Sequence, residues 1–195
     1  MKGRREIMGT LQYAILGLLN RKDMTGYDLS KEFEANLSEF WSAKHSQIYP
    51  ELKALTDHKL VEFKTEISGN VLEKKLYTIT DAGKDKLLEW EKTFCKMKPV
   101  PKDEFKLQLF FSDCLPAEQR ILLLQNQLSQ HRERLIHLRN NSEKFDSVSK
   151  LGEAEFSDYL VLLGAITREE GMCNWLETCI RLCTERCKKN DKVSL

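Results

Sequence analysis

The sequence predicts a mainly α-helical protein that carries one two-stranded β hairpin and divides into two domains. Apolar residues recur at spacings of three and four through most of the chain, and the period falls to two only between residues 61 and 79. Pro99-Val-Pro101 then interrupts the helical pattern, because two prolines so close cannot lie inside a continuing helix. We therefore expect domains at residues 1–98 and 99–195.

The first two helices are predicted from their apolar faces and their boundaries. One face of the first helix holds Leu11, Ala14, Ile15, Leu18 and Leu19. Thr25 is a preferred N-cap residue, and Asp28 favours the positive end of the second helix, which extends from about Gly26 to Glu34. Candidates for the buried side of this second helix are Tyr27, Leu29 and Phe33.

A third helix is predicted to follow the N-cap residue Ser42 and to end at about Asp57. Pro50 removes one backbone hydrogen bond, so it either bends this helix or sets its effective start. The buried side is predicted to hold Ile48, Leu52 and Leu55. The opposite side carries polar or amphipathic groups that can point outward together: Lys44, Ser46, Gln47, Tyr49 and Lys53.

The hairpin follows, with one strand from Val61 to Ile67, a turn at Ser68-Gly-Asn70 and a second strand from Val71 to Ile79. Thr80 then opens a fourth helix, whose apolar residues are Leu87, Leu88 and Trp90. The order of three helices, a hairpin and a helix within about 90 residues is typical of a winged helix-turn-helix domain. There, one helix enters the major groove of DNA and the hairpin, or wing, contacts the adjacent backbone.

The second domain is predicted to consist of long helices. One carries an apolar seam at Ile121, Leu124, Leu128, His131, Leu135 and Leu138. After a polar interval, a final helix from about Glu153 to Cys187 repeats the seam at Tyr159, Leu163, Ile166, Glu170, Cys173, Leu176, Ile180, Cys183 and Cys187. A helix of this length extends roughly 50 Å, which is longer than such a domain needs for itself. We therefore expect a dimerisation domain.

Charge and hydropathy exclude several classes of protein. The formal net charge is +1 over 195 residues, so nucleic-acid binding has to come from locally clustered lysines and arginines. The apolar stretches Tyr13–Leu19 and Tyr159–Ile166 are far shorter than the roughly 20 residues of a membrane span. The basic N-terminus is not followed by a signal-peptide pattern, so we expect a cytoplasmic protein that has no membrane partner.

The sequence holds no motif for catalysis, a cofactor or a metal. It has no glycine-rich phosphate loop, no Gly-x-Ser-x-Gly and no His pair on one helix turn, so we expect no enzyme and no cofactor. Six cysteines are present, and a cytoplasmic chain keeps its thiols reduced. Cys179, Cys183 and Cys187 extend over roughly 12 Å of helix, too far to converge on one ion. Packing of free thiols is therefore the preferred interpretation.

Several segments of the sequence resemble the PadR family of bacterial transcription regulators. They are Tyr13-Ala-Ile-Leu-Gly-Leu-Leu19, Gly26-Tyr-Asp-Leu29, Phe40-Trp-Ser-Ala-Lys-His-Ser-Gln-Ile-Tyr-Pro-Glu-Leu-Lys53, Leu72-Glu-Lys-Lys-Leu-Tyr-Thr-Ile-Thr-Asp-Ala-Gly83 and Lys102-Asp-Glu-Phe105. Tyr159-Leu-Val161 and Trp175-Leu-Glu177 are similar to the C-terminal domain of members that respond to phenolic acids. The resemblance implies a homodimeric repressor that binds an inverted-repeat operator of a phenolic acid decarboxylase gene. It also implies release by a hydroxycinnamic acid such as p-coumarate or ferulate.

The third helix and the wing supply the candidate contacts to double-stranded operator DNA. Ser46, Gln47 and Tyr49 can reach base edges, with the Gln amide suited to adenine. Contacts to the DNA backbone are expected from Lys44, His45, Lys53, Lys64 and, because Lys74 and Lys75 lie on opposite faces of a regular strand, at most one of Lys74 and Lys75. Tyr27 completes the set. An N-terminal arm of Lys2, Arg4 and Arg5 either adds to these contacts or is a frayed terminus.

The effector site is expected where the two domains move relative to each other, since a ligand must favour the arrangement that does not bind DNA. A planar hydroxycinnamate requires apolar or aromatic walls, a cation for its carboxylate and a polar partner for its phenol. The candidates are Tyr13, Phe105, Lys106, Asp158, Tyr159, Leu162 and Arg168. Arg168 or Lys106 can meet the carboxylate. Alternatively, these residues simply pack the domains.

Two other functions fit the same sequence. A regulator of the PadR type can respond to a different ligand or to none, because the identity of an inducer depends on the shape of its pocket. A protein-interaction module can instead use its helical half to dock another protein. Substitution of Gln47 separates the second alternative from a DNA-binding protein, since only the latter would lose operator discrimination.

Overall fold

The computed structural model describes residues 8–37, 40–41, 43–68, 72–145 and 147–193. The chain divides into two compact units, Met1–Met97 and Lys98–Leu195. Some predicted features lie outside the described residues: the N-cap Ser42, the arm of Lys2, Arg4 and Arg5, Gly69-Asn70 of the turn, and Val71. In the ranges that are described, no helix has both the length and the apolar content needed to cross a membrane.

Helices and a small sheet make up the described part of the first unit. The helices are α1 (Thr10–Arg21), α2 (Gly26–Glu32), α3 (His45–Asp57) and α4 (Asp81–Glu91), and a π-helical turn at Phe33–Leu37 extends α2. The strands are β1 (Met24–Thr25), β2 (Val61–Ser68) and β3 (Leu72–Ile79), arranged in the antiparallel order β1-β3-β2. The mainly helical fold and the wing hairpin are thus confirmed, whereas β1 was not predicted.

The core of the first unit forms where α1, α2, α3, α4 and the sheet meet. Its fully buried side chains include Ile15, Leu16, Leu19, Leu29, Phe33, Ile48, Leu52, Leu55 and Val61. The predicted buried side of α3 is therefore confirmed. The prediction that Tyr27 belongs to this core is wrong, because its side chain is 57% exposed. The buried face of α2 instead passes through Gly26, Leu29 and Ser30.

Side-chain caps fix where the helices around the wing begin. The Thr25 hydroxyl accepts the Asp28 N–H at 3.2 Å, and the Asp28 carboxylate accepts the Thr25 N–H at 3.1 Å, so the predicted cap is confirmed. The Thr25 hydroxyl also donates to the Asp28 carboxylate at 2.7 Å, and this hydrogen bond, followed by the one from the Thr25 N–H, holds the pKa of the Asp28 carboxyl below its ordinary value. The Thr80 hydroxyl accepts the Gly83 N–H at 3.1 Å and donates to the Lys59 carbonyl at 2.8 Å. Thr80 therefore joins the start of α4 to the base of the wing.

The second unit contains α5 (Glu104–Phe110), α6 (Ala117–Ser142) and α7 (Glu153–Val193). The predicted seam of α6 is confirmed at its leucines, since Leu124, Leu128, Leu135 and Leu138 are buried. In α7 the prediction that Leu163 and Glu170 belong to the seam is wrong: Leu163 is 41% exposed, and the buried glutamate is Glu169. A strict heptad spacing drifts by about 20° per heptad on a straight helix, which accounts for the displaced face.

Candidate nucleic-acid interface and effector residues

The residues of α3 and its N-cap that were predicted to contact DNA all lie on the outward side of the helix. Lys44, His45, Ser46, Gln47, Tyr49 and Lys53 are all exposed. Ile48, Leu52 and Leu55 anchor the opposite side of the helix in the core. The His45 and Tyr49 rings lie 4.8 Å apart between centroids, so they form a connected aromatic surface. Polar donors, two lysines and two adjacent rings on one exposed helix face are groups that can contact base edges and phosphates.

Tyr49 packs closely against the start of α2 because Gly26 has no side chain. A Cβ atom on Gly26 would lie 2.8 Å from the Tyr49 Cε1 and Cζ atoms, which is closer than real Cβ contacts. Burial, together with the nearby Tyr49, raises the pKa of the Tyr77 hydroxyl on β3. The Tyr49 ring therefore lies where α2, α3 and the sheet come together, and this packing orients its exposed edge.

α3 begins later than predicted, because the side chain of Gln47, in the first turn of the helix, caps it at Lys44. The Gln47 Oε1 atom accepts the Lys44 N–H at 2.9 Å, and the Gln47 N–H donates to the Lys44 carbonyl at 2.8 Å. Lys44 is thereby the N-cap residue, and the prediction that the helix follows Ser42 is wrong. Gln47 serves both the start of α3 and its outward surface.

The register of the wing decides which lysines share a face. Lys64 lies opposite Leu76, and Glu66 lies opposite Lys74, so Lys64 and Lys74 are on the same face of the hairpin. Lys75 is on the other face, where its Nζ atom lies 4.1 Å from the centroid of the Phe63 ring. Lys74 and Lys75 thus lie on opposite faces, as regular alternation requires.

The short strand β1 connects the wing to the helix pair. Met24 pairs with Tyr77 and Thr25 pairs with Leu76, directly before the first residue of α2. Tyr27 is in the first turn of α2, where the Lys31 Nζ atom lies 4.6 Å from the centroid of its ring. β1 therefore ties the residues directly before α2 to the sheet that forms the wing.

The predicted effector residues occupy different environments. Tyr13 belongs to the first unit and stacks on Trp90, with ring centroids 4.9 Å apart and an interplanar angle of 8°. In the second unit, Phe105 is buried and meets Trp175 edge-on at 6.2 Å. The Lys106 Nζ atom lies 6.0 Å from the centroid of the same Trp175 ring. Trp90 and Trp175 were not among the predicted effector residues, although aromatic side chains are the expected walls of such a pocket.

The α7 candidates are distributed along the helix. Tyr159 is half-buried and meets Phe145 edge-on at 5.7 Å. Leu162 is half-buried, and Asp158 is exposed. The Arg168 Nε atom lies 3.4 Å from the Glu169 carboxylate, so this arginine already has an anionic neighbour.

Glu169 is a buried charge that was not predicted from the sequence. Its side chain is 3% exposed, and its Oε2 atom lies 2.5 Å from the His131 Nδ1 atom on α6. Arg134 of α6 approaches the same carboxylate at 3.7 Å. Burial raises the pKa of Glu169, but the hydrogen bond and charge of His131, with the charge of Arg134, outweigh it and leave the pKa below its ordinary value. This cluster joins α6 to α7.

An open groove runs between α6 and α7 on the exposed surface of the second unit. Its volume is about 500 Å³, and its apolar lining includes Leu128, Ile136 and Ile180. The ion pair of Arg132 and Glu177, at 2.7 Å, contributes to the lining. All six cysteines are free, and among the described residues no group of histidine, cysteine and acidic side chains has the arrangement of a metal site.

The sequence matches known families in both units. Residues 15–89 match the transcriptional regulator PadR-like family, and residues 101–184 match the C-terminal family named virulence activator alpha. The negative transcriptional regulator PadR of Bacillus subtilis is 41% identical over 181 residues, which cover 90% of this chain and 98% of that protein.

Two solved structures of that relative have the same fold. The crystal structure of Bacillus subtilis PadR in complex with operator DNA superposes with a TM-score of 0.83 at 40% identity, covering 90% of this chain and 99% of the other. The complex with p-coumaric acid gives a TM-score of 0.79 at 37% identity, with the same coverage of both chains.

Proposed function

Because the chain belongs to the PadR-like family of transcriptional regulators, we propose that it is a DNA-binding repressor that reads an inverted-repeat operator as a homodimer. The observation that carries this proposal is the outward side of α3, where exposed polar and aromatic side chains lie opposite the face that is buried in the core. Lys64 and Lys74, on one face of the wing, add cations that suit the phosphate backbone. No catalytic step forms part of the proposal.

The effector in this proposal is a phenolic acid of the hydroxycinnamate class, and the regulated gene encodes a phenolic acid decarboxylase. Support comes from the relative at 41% identity, one structure of which holds p-coumaric acid. The candidate effector residues of this chain remain predictions. Tyr159 is one of three candidates that have a second ring beside them: Phe145 lies beside Tyr159, as Trp90 does beside Tyr13 and Trp175 beside Phe105.

The homodimer is assigned to the helical unit. Exposed apolar side chains on α6 and α7 include Leu122, Ile136, Leu160, Val161 and Leu182, which a second copy of the chain would remove from water. Operators are (pseudo)palindromic where the protein has two-fold symmetry. Since operator DNA lies in the cytoplasm of a bacterium, the proposed location is cytoplasmic.

A gel-shift titration at fixed salt, with and without p-coumarate, tests the proposed function. The probe is a duplex that contains a PadR-type inverted repeat, and a scrambled duplex is the control. We expect specific binding that p-coumarate reverses. Specific binding without reversal would reject the phenolic acid effector, and equal binding to both duplexes would reject the repressor and favour an interaction module.

Lys53→Ala is expected to weaken operator binding and to lower the slope of log affinity against log salt concentration by about 1. The physical reason is that a phosphate contact releases counterions when it forms. Lys86→Ala on α4 removes the same charge from an exposed ion pair with Glu89 and is expected to leave the slope unchanged. Affinities measured across a salt series check both variants, and equal slopes for Lys53→Ala and the parent protein would contradict the assignment.

Tyr159→Ala is expected to abolish the response to p-coumarate while operator affinity stays at the parental level. The substitution removes the ring that faces Phe145 at 5.7 Å, and with it the aromatic wall. Tyr159→Phe retains the ring and separates the role of the hydroxyl from that of the wall. Release of operator DNA during a p-coumarate titration is the measurement, and an unaltered titration curve for Tyr159→Ala would exclude Tyr159 from the effector site.

A further inference from the structure

The orientation of the Gln47 side-chain amide on α3 is fixed by the backbone. The Lys44 N–H donates to the Gln47 side chain over 2.9 Å. A backbone N–H is a donor only, so the atom that faces it must be the amide oxygen, and the Nε2 group must point away. At least one lone pair of Oε1 is therefore occupied by the cap.

Three other helices of the chain use the same bond, from the N-cap N–H to a side chain three residues on. Gln12 makes it in α1 at 3.1 Å, Asp28 makes it in α2 at 3.1 Å, and Glu155 makes it in α7 at 3.1 Å. The cap needs only an acceptor, which a carboxylate supplies equally well and which suits the helix dipole. What Gln47 adds, in comparison with Asp28 or Glu155, is an uncharged pair of N–H donors on the outward side of α3.

We propose that Gln47 reads the operator as a hydrogen-bond donor only, giving its Nε2 hydrogens to the acceptor edge of guanine. Guanine presents two acceptors in the major groove, N7 and O6, whereas adenine presents N7 beside an N6 donor. The familiar bidentate pairing of glutamine with adenine needs the amide oxygen to accept from N6, and here that oxygen already accepts from the Lys44 N–H. This proposal rests on the proposed function, because it assumes that α3 lies in the major groove.

The cost of the alternative supports the donor role. To pair with adenine in the bidentate manner, the Gln47 Oε1 atom would have to accept from N6 and from the Lys44 N–H at once, or Gln47 would have to rotate away and leave the Lys44 N–H without its partner at the first turn of the helix. Loss of a helix cap typically destabilises a helix by about fivefold in its equilibrium constant. Ser46, the exposed neighbour on α3, has a hydroxyl that can both donate and accept, so the restriction on Gln47 does not extend to it.

The test pairs base analogues with a protein variant. The full-length parent protein and Gln47→Ala are titrated against an operator duplex that the parent binds. Single guanines in the half-site are replaced by 7-deazaguanine, which lacks the N7 acceptor, and single adenines by purine, which lacks the N6 amino group. We expect 7-deazaguanine at one position to weaken operator binding by the parent protein by about fivefold, and operator binding by Gln47→Ala to be unaffected there.

Two further variants separate the donor from the cap. Gln47→Glu keeps an acceptor for the Lys44 N–H and removes both donors, so its thermal unfolding should match that of the parent while sensitivity to 7-deazaguanine disappears. Gln12→Glu makes the same chemical change at the same helix position of α1 and should retain that sensitivity. The proposal would be overturned if removing the adenine N6 amino group weakened binding by the parent but not by Gln47→Ala. It would also be overturned by a complete scan in which no analogue changes the affinity in a way that depends on Gln47. Failure of the parent to bind any operator would instead overturn the proposed function.

Discussion

Gly83→Ala is expected to destabilise the protein by about 3 kcal/mol, the upper part of the range for overpacked sites. A Cβ atom at this position would overlap the Leu60 carbonyl oxygen and would lie 2.8 Å from the Ile79 Cγ1 atom. That carbonyl cannot simply move aside, because it accepts the Thr80 N–H at 3.1 Å where the wing meets α4. Thermal unfolding of the full chain is the measurement.

Gly17→Ala provides the matched control for this prediction. Gly17 lies inside α1, and a Cβ atom there has nothing within 4 Å. Replacing an interior helical glycine by alanine without strain stabilises by about 0.5–1 kcal/mol. The two substitutions should therefore shift the unfolding temperature in opposite directions. An unchanged unfolding temperature for Gly83→Ala would show that the Leu60 region yields to the added methyl group.

Glu169→Gln is expected to destabilise the protein by about 2 kcal/mol at neutral pH, less than the full cost of breaking a buried ion pair because water reaches its cationic partners. The carboxylate is 3% exposed, whereas His131 and Arg134 are 22% and 46% exposed. Glutamine keeps the volume of the side chain but removes the charge that faces His131, Arg134 and Arg168. Denaturant unfolding of the full chain at several pH values measures the loss.

The pH dependence of this contribution follows from the direction of the Glu169 pKa. Because the folded-state pKa is lowered, the contribution is fully present above the pKa of the unfolded chain and is lost as the pH falls through the folded value. The difference in the free energy of unfolding between the parent and Glu169→Gln should therefore disappear in acid. Glu170→Gln is the control, since its side chain is 42% exposed and pairs with Arg139 at 2.7 Å at the surface. Equal losses for the two variants would contradict the buried-cluster interpretation.

The order of helices and the hairpin could be predicted because each carries its own periodicity. The buried residues Ile48, Leu52 and Leu55 repeat at helical spacing, and the period of two from Val61 to Ile79 is found nowhere else in the chain. β1 could not be predicted in this way. Met24–Thr25 is too short to display a period, and it is a strand only because β3 lies beside it.

The candidate site was predictable in its location but not in its contacts. The outward side of α3 follows directly from the positions of its buried residues. The bond from Lys44 to Gln47 depends instead on where the helix starts, and on sequence grounds Ser42 is the preferred cap. The burial of Glu169 could not be predicted from the sequence for a different reason. It stands next to Glu170, and a small drift of the seam along a 41-residue helix decides which of the two is buried.

The pairing of β1 with β3 has a kinetic consequence. Met24 and Tyr77 are about fifty residues apart in the chain, so the sheet of the first unit closes only after a long loop has been ordered. The helices α6 and α7 are consecutive long helices joined by a short connection, and contacts near that connection are local. Folding rates fall as the sequence separation of native contacts rises. The DNA-reading unit should therefore acquire its structure more slowly than the helical unit, and the last backbone hydrogen bonds to become protected from exchange should be those that join β1 to β3.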